Sequence, residues 1–468
     1  MKKTFVYIFI TLIAISCGEP SARLIETLPD IYPDYIGVTI PPQTAPLNFK
    51  VNGADRVFVS LSGCKSKIEV SGEFANFPLG RWHKMLSENI GGQIEVKVKA
   101  KMGEWIEYKP FTINISKDSI DYSVVYRRLD PGYELYAKMG IYQRKLSDFE
   151  ENAVFENTEP NPGCMNCHSF AACNPESFQL HFRGKNGGTY IKASAYEKVF
   201  DMKSPDIPGI VYPYWHPSSR FIAYSANDIK QSFHNIPSKV LEVYDLASDI
   251  AVFDVEKESL VLSSAVMDST YLETFPAFSA DGNNLFFCRA DKNDDFTKVR
   301  YSLCKASFHT DTGKIGDDIE TIWSSDSSSA SFPRPSYNGN WLLFTVSDYG
   351  NFSIWHKEAE LHLLNLRTGE ARNISEINSN DTESYHSWSS SSKWVVFSSR
   401  KDDGRYTRLY FSHLNEDGTF TKPFMLPQRN PEHNTLLLQS YNIPEFCNGK
   451  VEIDKELVYS GCRSTLNH

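Results

Sequence analysis

The chain has 468 residues, of which 41% are hydrophobic and 23% charged, and a formal net charge of −10. That length supports two or three domains with full cores, and nothing in the composition points to long disorder. The acidic balance excludes nucleic acid and direct docking on anionic lipid as main partners, and simple solubility accounts for it.

The first element is an export leader. Lys2 and Lys3 precede an apolar run from Phe5 to Ile15, followed by Ser16 and Cys17. The run is far short of the roughly 20 residues a membrane-crossing helix needs, so residues 1–17 read as a signal peptide. Cys17 after a small residue resembles a bacterial lipobox. That resemblance implies a lipid on Cys17 and a mature protein anchored in the cell envelope, at the outer membrane on a periplasmic or surface face. The usual Leu three residues before the cysteine is Ala14 here, which keeps plain cleavage open. Loss of Lys2 and Lys3 with the leader takes the net charge to −12.

Residues 18–44 read as a tether. From 45 to 121 the text turns to short apolar runs separated by turns: Leu47 to Val51, Arg56 to Leu61, Ser66 to Val70, Gln93 to Val98 and Trp105 to Phe111. This spacing predicts a small immunoglobulin-like β-sandwich, serving as a spacer or as a glycan- or protein-binding module. Residues 122–162 lose the pattern and read as a linker with a short candidate helix at Tyr133 to Met139.

The linker delivers Cys164-Met165-Asn166-Cys167-His168. In an exported chain a Cys-x-x-Cys-His pentad is the attachment signature of a covalent c-type haem. Two thiols reach the two vinyl groups of one porphyrin and the next imidazole lies under the iron. Cys164 and Cys167 are therefore the expected thioether sites of one haem c, with His168 as its iron ligand. Two other readings stay open: a plain Cys164–Cys167 disulfide, or a structural zinc held by Cys164, Cys167, His168 and Cys173. A sixth iron ligand would come from Met139, Met202, His181, His216 or His386. The last two are the more interesting, because they sit inside the repeats described next; each also reads as a packing histidine.

The largest pattern is an internal repeat. Tyr212-Pro213-Tyr214-Trp215, Phe275-Pro276-Ala277-Phe278, Phe332-Pro333-Arg334-Pro335 and Tyr385-His386-Ser387-Trp388 align, each followed by a turn and an apolar strand. Their anchors, Trp215, Phe278, Pro335 and Trp388, lie 63, 57 and 53 residues apart. A propeller blade needs about 40 to 50 residues, so each interval suits one four-stranded sheet with variable loops. The turns are Asp281-Gly282 and Asn338-Gly339 in two copies, and Ser218-Ser219 and Ser391-Ser392 in the others. Such turns take residues that tolerate positive φ.

These copies resemble the TolB-type propeller repeat, whose usual form is aromatic-Pro-x-Trp-Ser-Pro-Asp-Gly. The resemblance implies an all-β chain: the small sandwich, then a TolB-like propeller over residues 163–468, with six blades expected and two of them lacking a clear signature. With the pentad and the leader, the chain looks like the haem-bearing propeller lipoproteins of Gram-negative bacteria. That implies an electron-transfer or haem-based redox role with a redox or envelope protein as partner. The alternative is a non-catalytic binding propeller in which the pentad is structural. Related propellers gate serine peptidases, but no Gly here is followed two positions later by Ser, so a Gly-x-Ser-x-Gly elbow is missing. Asp291 to Asp295 and Asp402-Asp403 match no calcium-loop spacing and read as hairpin tips. Cys288 with Cys304, and Cys447 with Cys462, are either staples or buried thiols; Cys64 and Cys173 have no evident partners.

Overall fold

A computed structural model describes residues 19–464 apart from 131–137, 158–163, 185–186, 195, 205–206, 208 and 237–238. The expected leader with Cys17, and residues 133–137 of the candidate helix, lie outside the described residues. The chain is all-β, as the repeats require.

Six sheets form a closed ring of blades. Blade 2 is Met165–Phe170, Ser177–Phe182, Gly188–Ala193 and Tyr196–Phe200, and blade 3 is Val211–Trp215, Phe221–Ile236, Lys239–Asp254 and Ser259–Leu262. Blade 4 runs from Tyr271–Phe278 outward to Glu320–Trp323, blade 5 from Ser329–Pro335 to Ala371–Asn373, and blade 6 from Glu383–Trp388 to Phe424–Met425. Blade 1 is built from both ends of this region. Its inner strand is the late segment Ser440–Cys447, paired antiparallel with Ser123–Leu129, which continues outward into Gly140–Lys145 and Glu151–Glu156.

The blade count of six stands, but the expected linker at 122–162 is corrected. Three of its runs are strands of blade 1, so the propeller begins at Ser123. Their alternation was hard to read because the partner strand lies more than 300 residues away.

Each inner strand carries one bulge, where two residues face one on the neighbour. The register breaks at Asn166/Ser169, Val211/Tyr214, Thr274/Ala277, Ser331/Arg334 and Ser384/Ser387, and opposite Val125/Arg127 in blade 1. The first bulge residue of each blade has positive φ: Cys167, Tyr212, Phe275, Phe332, Tyr385 and Ile443, between 43° and 57°. Non-glycine residues adopt this conformation at a cost, and six repetitions mark it as a built feature. The next residue is Pro213, Pro276, Pro333 or Pro444 in four blades, which suits a bulge where no ladder N–H is needed. The aromatic-Pro pairs of the sequence are these bulges.

The N-terminal unit holds a seven-stranded sheet with Arg56–Ser62 and Gln93–Met102 at its centre, plus a two-stranded sheet of Ile31–Tyr32 and Lys50–Val51. Residues 18–44 are not a free tether: Arg23–Leu24 and Thr39–Ile40 add parallel edge strands to the main sheet. A helix, Leu79–Glu88, was not anticipated; it buries Trp82, Met85 and Leu86, the i, i+3, i+4 stripe of an amphipathic helix.

This unit is fused to blades 6 and 1. One apolar cluster contains its Leu47, Phe49 and Trp82 together with Trp394, Phe411, Phe424 and Phe446 of the propeller. Asp118 accepts from His413 Nε2 at 2.7 Å, and Trp394 Nε1 donates to its carbonyl at 3.2 Å. Asp121 accepts from the Ser390 N–H at 2.9 Å and its hydroxyl at 2.5 Å.

Candidate functional site

The pentad lies on the inner strand of blade 2, and its last two residues occupy the bulge. Cys167 stands where the other blades have Tyr212, Phe275, Phe332, Tyr385 and Ile443, and His168 stands where they have proline or His386.

The first bulge residues meet on the axis. Phe275 and Phe332 have ring centroids 4.0 Å apart, Tyr212 lies 4.4 Å from Phe275 and 5.6 Å from Phe332, and Tyr385 lies 4.8 Å from Phe332. These contacts join blades 3 to 6 into an aromatic plug, and burial there pushes the Cys167 thiol up, keeping it protonated.

His168 points sideways. Its ring faces the backbone of Val125 and Ile443 in blade 1, and His386 in blade 6 faces Leu343 and Phe332 in blade 5 in the same way. His386 Nε2 bonds the Leu343 carbonyl at 3.1 Å. Neither ring nitrogen of His168 makes a well-formed hydrogen bond to the backbone it faces, although the residue is 1% exposed. Burial, helped by the Arg127 charge, pulls its pKa down to about 3, so it is neutral.

A covalent haem needs both thiols and the imidazole to open onto one macrocycle. As folded here, Cys167 is turned to the axis, His168 is wedged between blades, and only Cys164 keeps appreciable exposure. The three groups do not fit one haem in this conformation. The zinc set is also not assembled: Cys173 lies past the far end of the strand, donating to Tyr337 Oη at 3.6 Å and the Trp388 carbonyl at 3.7 Å. Among the described residues no three His, Cys, Asp or Glu side chains group to hold a metal.

The structure accounts for the sixth-ligand candidates individually. His216 Nε2 bonds the Gly282 carbonyl at 3.0 Å, and His181 Nδ1 bonds Thr189 Oγ1 at 2.9 Å. Met202 is buried in the core between blades 2 and 3, and Met139 is half-buried at the start of a blade 1 strand. Cys64, Cys164, Cys167, Cys173, Cys288, Cys304 and Cys447 are free thiols. Cys304 is registered opposite Phe287 and Cys288 opposite Leu303, so the two thiols point to opposite faces and join different cores.

A second layer of axial groups lies two residues beyond each plug residue. It includes Ser169, Tyr214, Arg334, Ser387 and Glu445. The Arg334 guanidinium sits over the Tyr214 ring at 5.3 Å, and Glu445 accepts from the Phe170 N–H at 2.9 Å. The repeat's tryptophans hold this layer: Trp215 Nε1 donates to the Ser169 carbonyl at 3.1 Å and Trp388 Nε1 to the Arg334 carbonyl at 2.9 Å, each reaching the preceding blade. Nothing in a linear reading distinguishes these five residues, because they belong to five different blades.

The long hairpin of blade 3, with two 16-residue strands, was also missed. It leans over blades 4 and 5, where Tyr244 stacks on Phe296 at 4.6 Å and Tyr349 donates to Glu242 at 2.5 Å. Asp245 at its base accepts from Tyr301 Oη and Asn227 Nδ2, both at 2.8 Å. Its outer part exposes Phe233 and Ile236.

One consequence can be measured directly. His168→Pro restores the residue that four blades carry and removes two buried nitrogens without well-formed hydrogen bonds, so its stability to urea should stay within about 1 kcal/mol of wild type. A loss several times larger would mean that the ring makes a bond the fold depends on.

No protein-family description matches the chain, and no curated protein matches it. Among solved structures it is similar to a TolB candidate from Agrobacterium tumefaciens at 12% identity and a TM-score of 0.39, over 70% of this chain and 99% of that one. It is similar to an oligogalacturonate lyase from Vibrio parahaemolyticus at 10% identity and a TM-score of 0.35, over 63% and 92%. With puromycin hydrolase the values are 11% and 0.39, over 65% of this chain and 52% of that one. The fold is therefore stated from the chain's own six sheets and their closure by Ser440–Cys447: an all-β protein carrying a six-bladed propeller.

Proposed function

We propose that the protein is a non-catalytic binding propeller of the cell envelope, held there by a lipid on Cys17 and engaging an envelope protein, peptide or glycan. The observation that carries this reading is the position of Cys167 and His168. They fill the bulge of an inner strand, as Tyr385 and His386 do in blade 6, so the pentad has a structural use without a cofactor. The projecting hairpin with exposed Phe233 and Ile236 adds apolar surface of the kind partners cover.

One observation favours a second reading, a monohaem electron carrier. His168 buries both ring nitrogens without a well-formed hydrogen bond, and buried polar atoms are rarely left so. Under it Cys164 and Cys167 would hold the porphyrin and His168 the iron, supplying one-electron chemistry, and the inner strand of blade 2 would leave its sheet.

The two readings separate in one experiment on protein purified from a host that matures c-type haem, beside a Cys164→Ser/Cys167→Ser variant. The binding reading expects no c-type pyridine haemochrome band and an intact mass without haem. A band and one added haem mass, both lost in the variant, would overturn it and establish the carrier. The same mass measurement on membrane-extracted protein reads the lipid on Cys17.

A further inference from the structure

The axial layer on the turn side of the aromatic plug contains a charge without a partner. Arg334 reaches the axis from blade 5, and its one side-chain hydrogen bond goes to its neighbour's carbonyl, Pro333 O, at 3.0 Å. It makes no ion pair among the described residues. A guanidinium only partly open to water and without an ion pair is costly, which makes such a residue informative when it is found at the centre of a fold.

Its surroundings offset the charge only in part, through the Glu445 carboxyl on which the guanidinium acts. Glu445 faces the same layer from blade 1, but its carboxyl is turned to the Phe170 N–H of blade 2. Burial raises its pKa to about 7, so it is only partly ionised near neutrality. The ring of Tyr214 supports the flat face of the guanidinium, which leaves its edge N–H groups free to donate in the plane. The Tyr214 hydroxyl makes no hydrogen bond among the described residues. Tyr214, Arg334 and Glu445 each retain partial exposure although they lie at the centre of the ring, which identifies a small axial chamber. The plug of Tyr212, Phe275, Phe332 and Tyr385 closes one end, so the chamber opens toward the turns, beside Tyr337.

We propose that this chamber binds one small oxyanion, with the Arg334 guanidinium as its principal contact and the Tyr214 hydroxyl as a second donor. Planar donors in a fork match a carboxylate in two parallel hydrogen bonds, and the same fork accepts a tetrahedral oxyanion. The inference rests on reading the protein as a binding propeller and gives that reading a ligand class.

Calorimetric titration of the full mature chain with sodium acetate and, separately, sodium sulfate, at ionic strength held constant with chloride, tests it. Acetate alone binding assigns a carboxylate, sulfate alone a tetrahedral anion, and either supports the proposal at a stoichiometry of one. Arg334→Gln is expected to weaken that binding at least tenfold, and Tyr214→Phe, which keeps the supporting ring, several-fold. Arg372→Gln, on the outer strand of blade 5 where Arg372 pairs with Glu376, should bind as wild type. No heat from either probe, or equal affinity in the Arg334 and Arg372 variants, would overturn the proposal. Because haem content is read independently by the haemochrome band, failure here leaves the binding reading standing, while a c-type band removes that reading whatever the anion does.

Discussion

A chain ended after Gln439 is expected not to fold cooperatively. It lacks Ser440–Cys447, the inner strand of blade 1, whose ladder with Ser123–Leu129 joins the two ends of the ring. The loss also removes Ile443 from beside the plug and Phe446 and Tyr441 from the core shared with the N-terminal unit. It leaves the long edge of Ser123–Leu129 unpaired and open to other chains. The comparison is a chain ended after Asp454, which keeps the closing strand and loses the helix Lys455–Ser464 with its buried Val458. That chain should melt in one transition at a lower temperature, whereas the shorter one should show no transition, weak near-ultraviolet ellipticity and rapid proteolysis. A shorter chain melting cooperatively within a few degrees of the full protein would show that closure by this strand is dispensable.

The second large effect concerns buried acids. Burial raises the carboxyls of Glu273, Glu383 and Glu445 to about 7 and that of Asp245 to about 6. A carboxyl whose folded pKa is raised contributes stability below its ordinary value and loses it as the pH rises through the folded one. Four histidines, three of them buried, pull the other way. His168, His181 and His386 are lowered to about 3 and His216 is lowered too, so they cost stability as the pH falls below the ordinary imidazole value. The two sets titrate over overlapping ranges, so the stability of the whole protein should change little between pH 5 and 8. A single variant exposes the hidden term. Glu383 is fully buried and accepts from the Ser379 N–H at 3.0 Å, Ser379 Oγ at 2.6 Å and Ser399 Oγ at 2.8 Å. Glu383→Gln should lose some of these bonds equally at every pH. Relative to wild type it should then gain up to about 3 kcal/mol between pH 5 and pH 8, since one pKa unit corresponds to about 1.4 kcal/mol. Urea unfolding at the two pH values measures the difference, and a variant whose offset is the same at both would refute the raised carboxyl.

What the sequence disclosed follows from which blades kept an aromatic residue at the first bulge position. Blades 3 to 6 did, and their anchors, Trp215, Phe278, Pro335 and Trp388, fall at equivalent places in the sheets. Blades 1 and 2 carry Ile443-Pro444 and Cys167-His168 instead, so neither announced itself. Blade 1 was further hidden because its strands come from distant parts of the chain, and local alternation cannot reveal a partner that far away. The pentad drew attention through its spacing, yet spacing does not specify which way side chains point. A bulge with positive φ sends Cys167 to the axis and His168 between blades. In the N-terminal unit, two-residue strands such as Arg23–Leu24 and Thr39–Ile40 are too short to carry a period. The helix Leu79–Glu88 did have a readable stripe at Trp82, Met85 and Leu86, but it spans fewer than three turns within text dominated by strands. Arg334 and Glu445 become neighbours only when six strands converge.

The closing sheet has a mechanical consequence. A pull on the N-terminal unit, such as a tether would exert, is met first by the core it shares with blades 6 and 1 and then, through residues 116–122, by Ser123–Leu129, which is flanked by the C-terminal strand on one side and by Gly140–Lys145 on the other. Load along that strand is shared by every rung of both ladders at once, in shear, whereas a force applied at the outer strand of a blade would peel its rungs one after another. The junction where the two ends of the ring meet, usually the weak point of a closed circle, is thus the part of this molecule best arranged to carry tension.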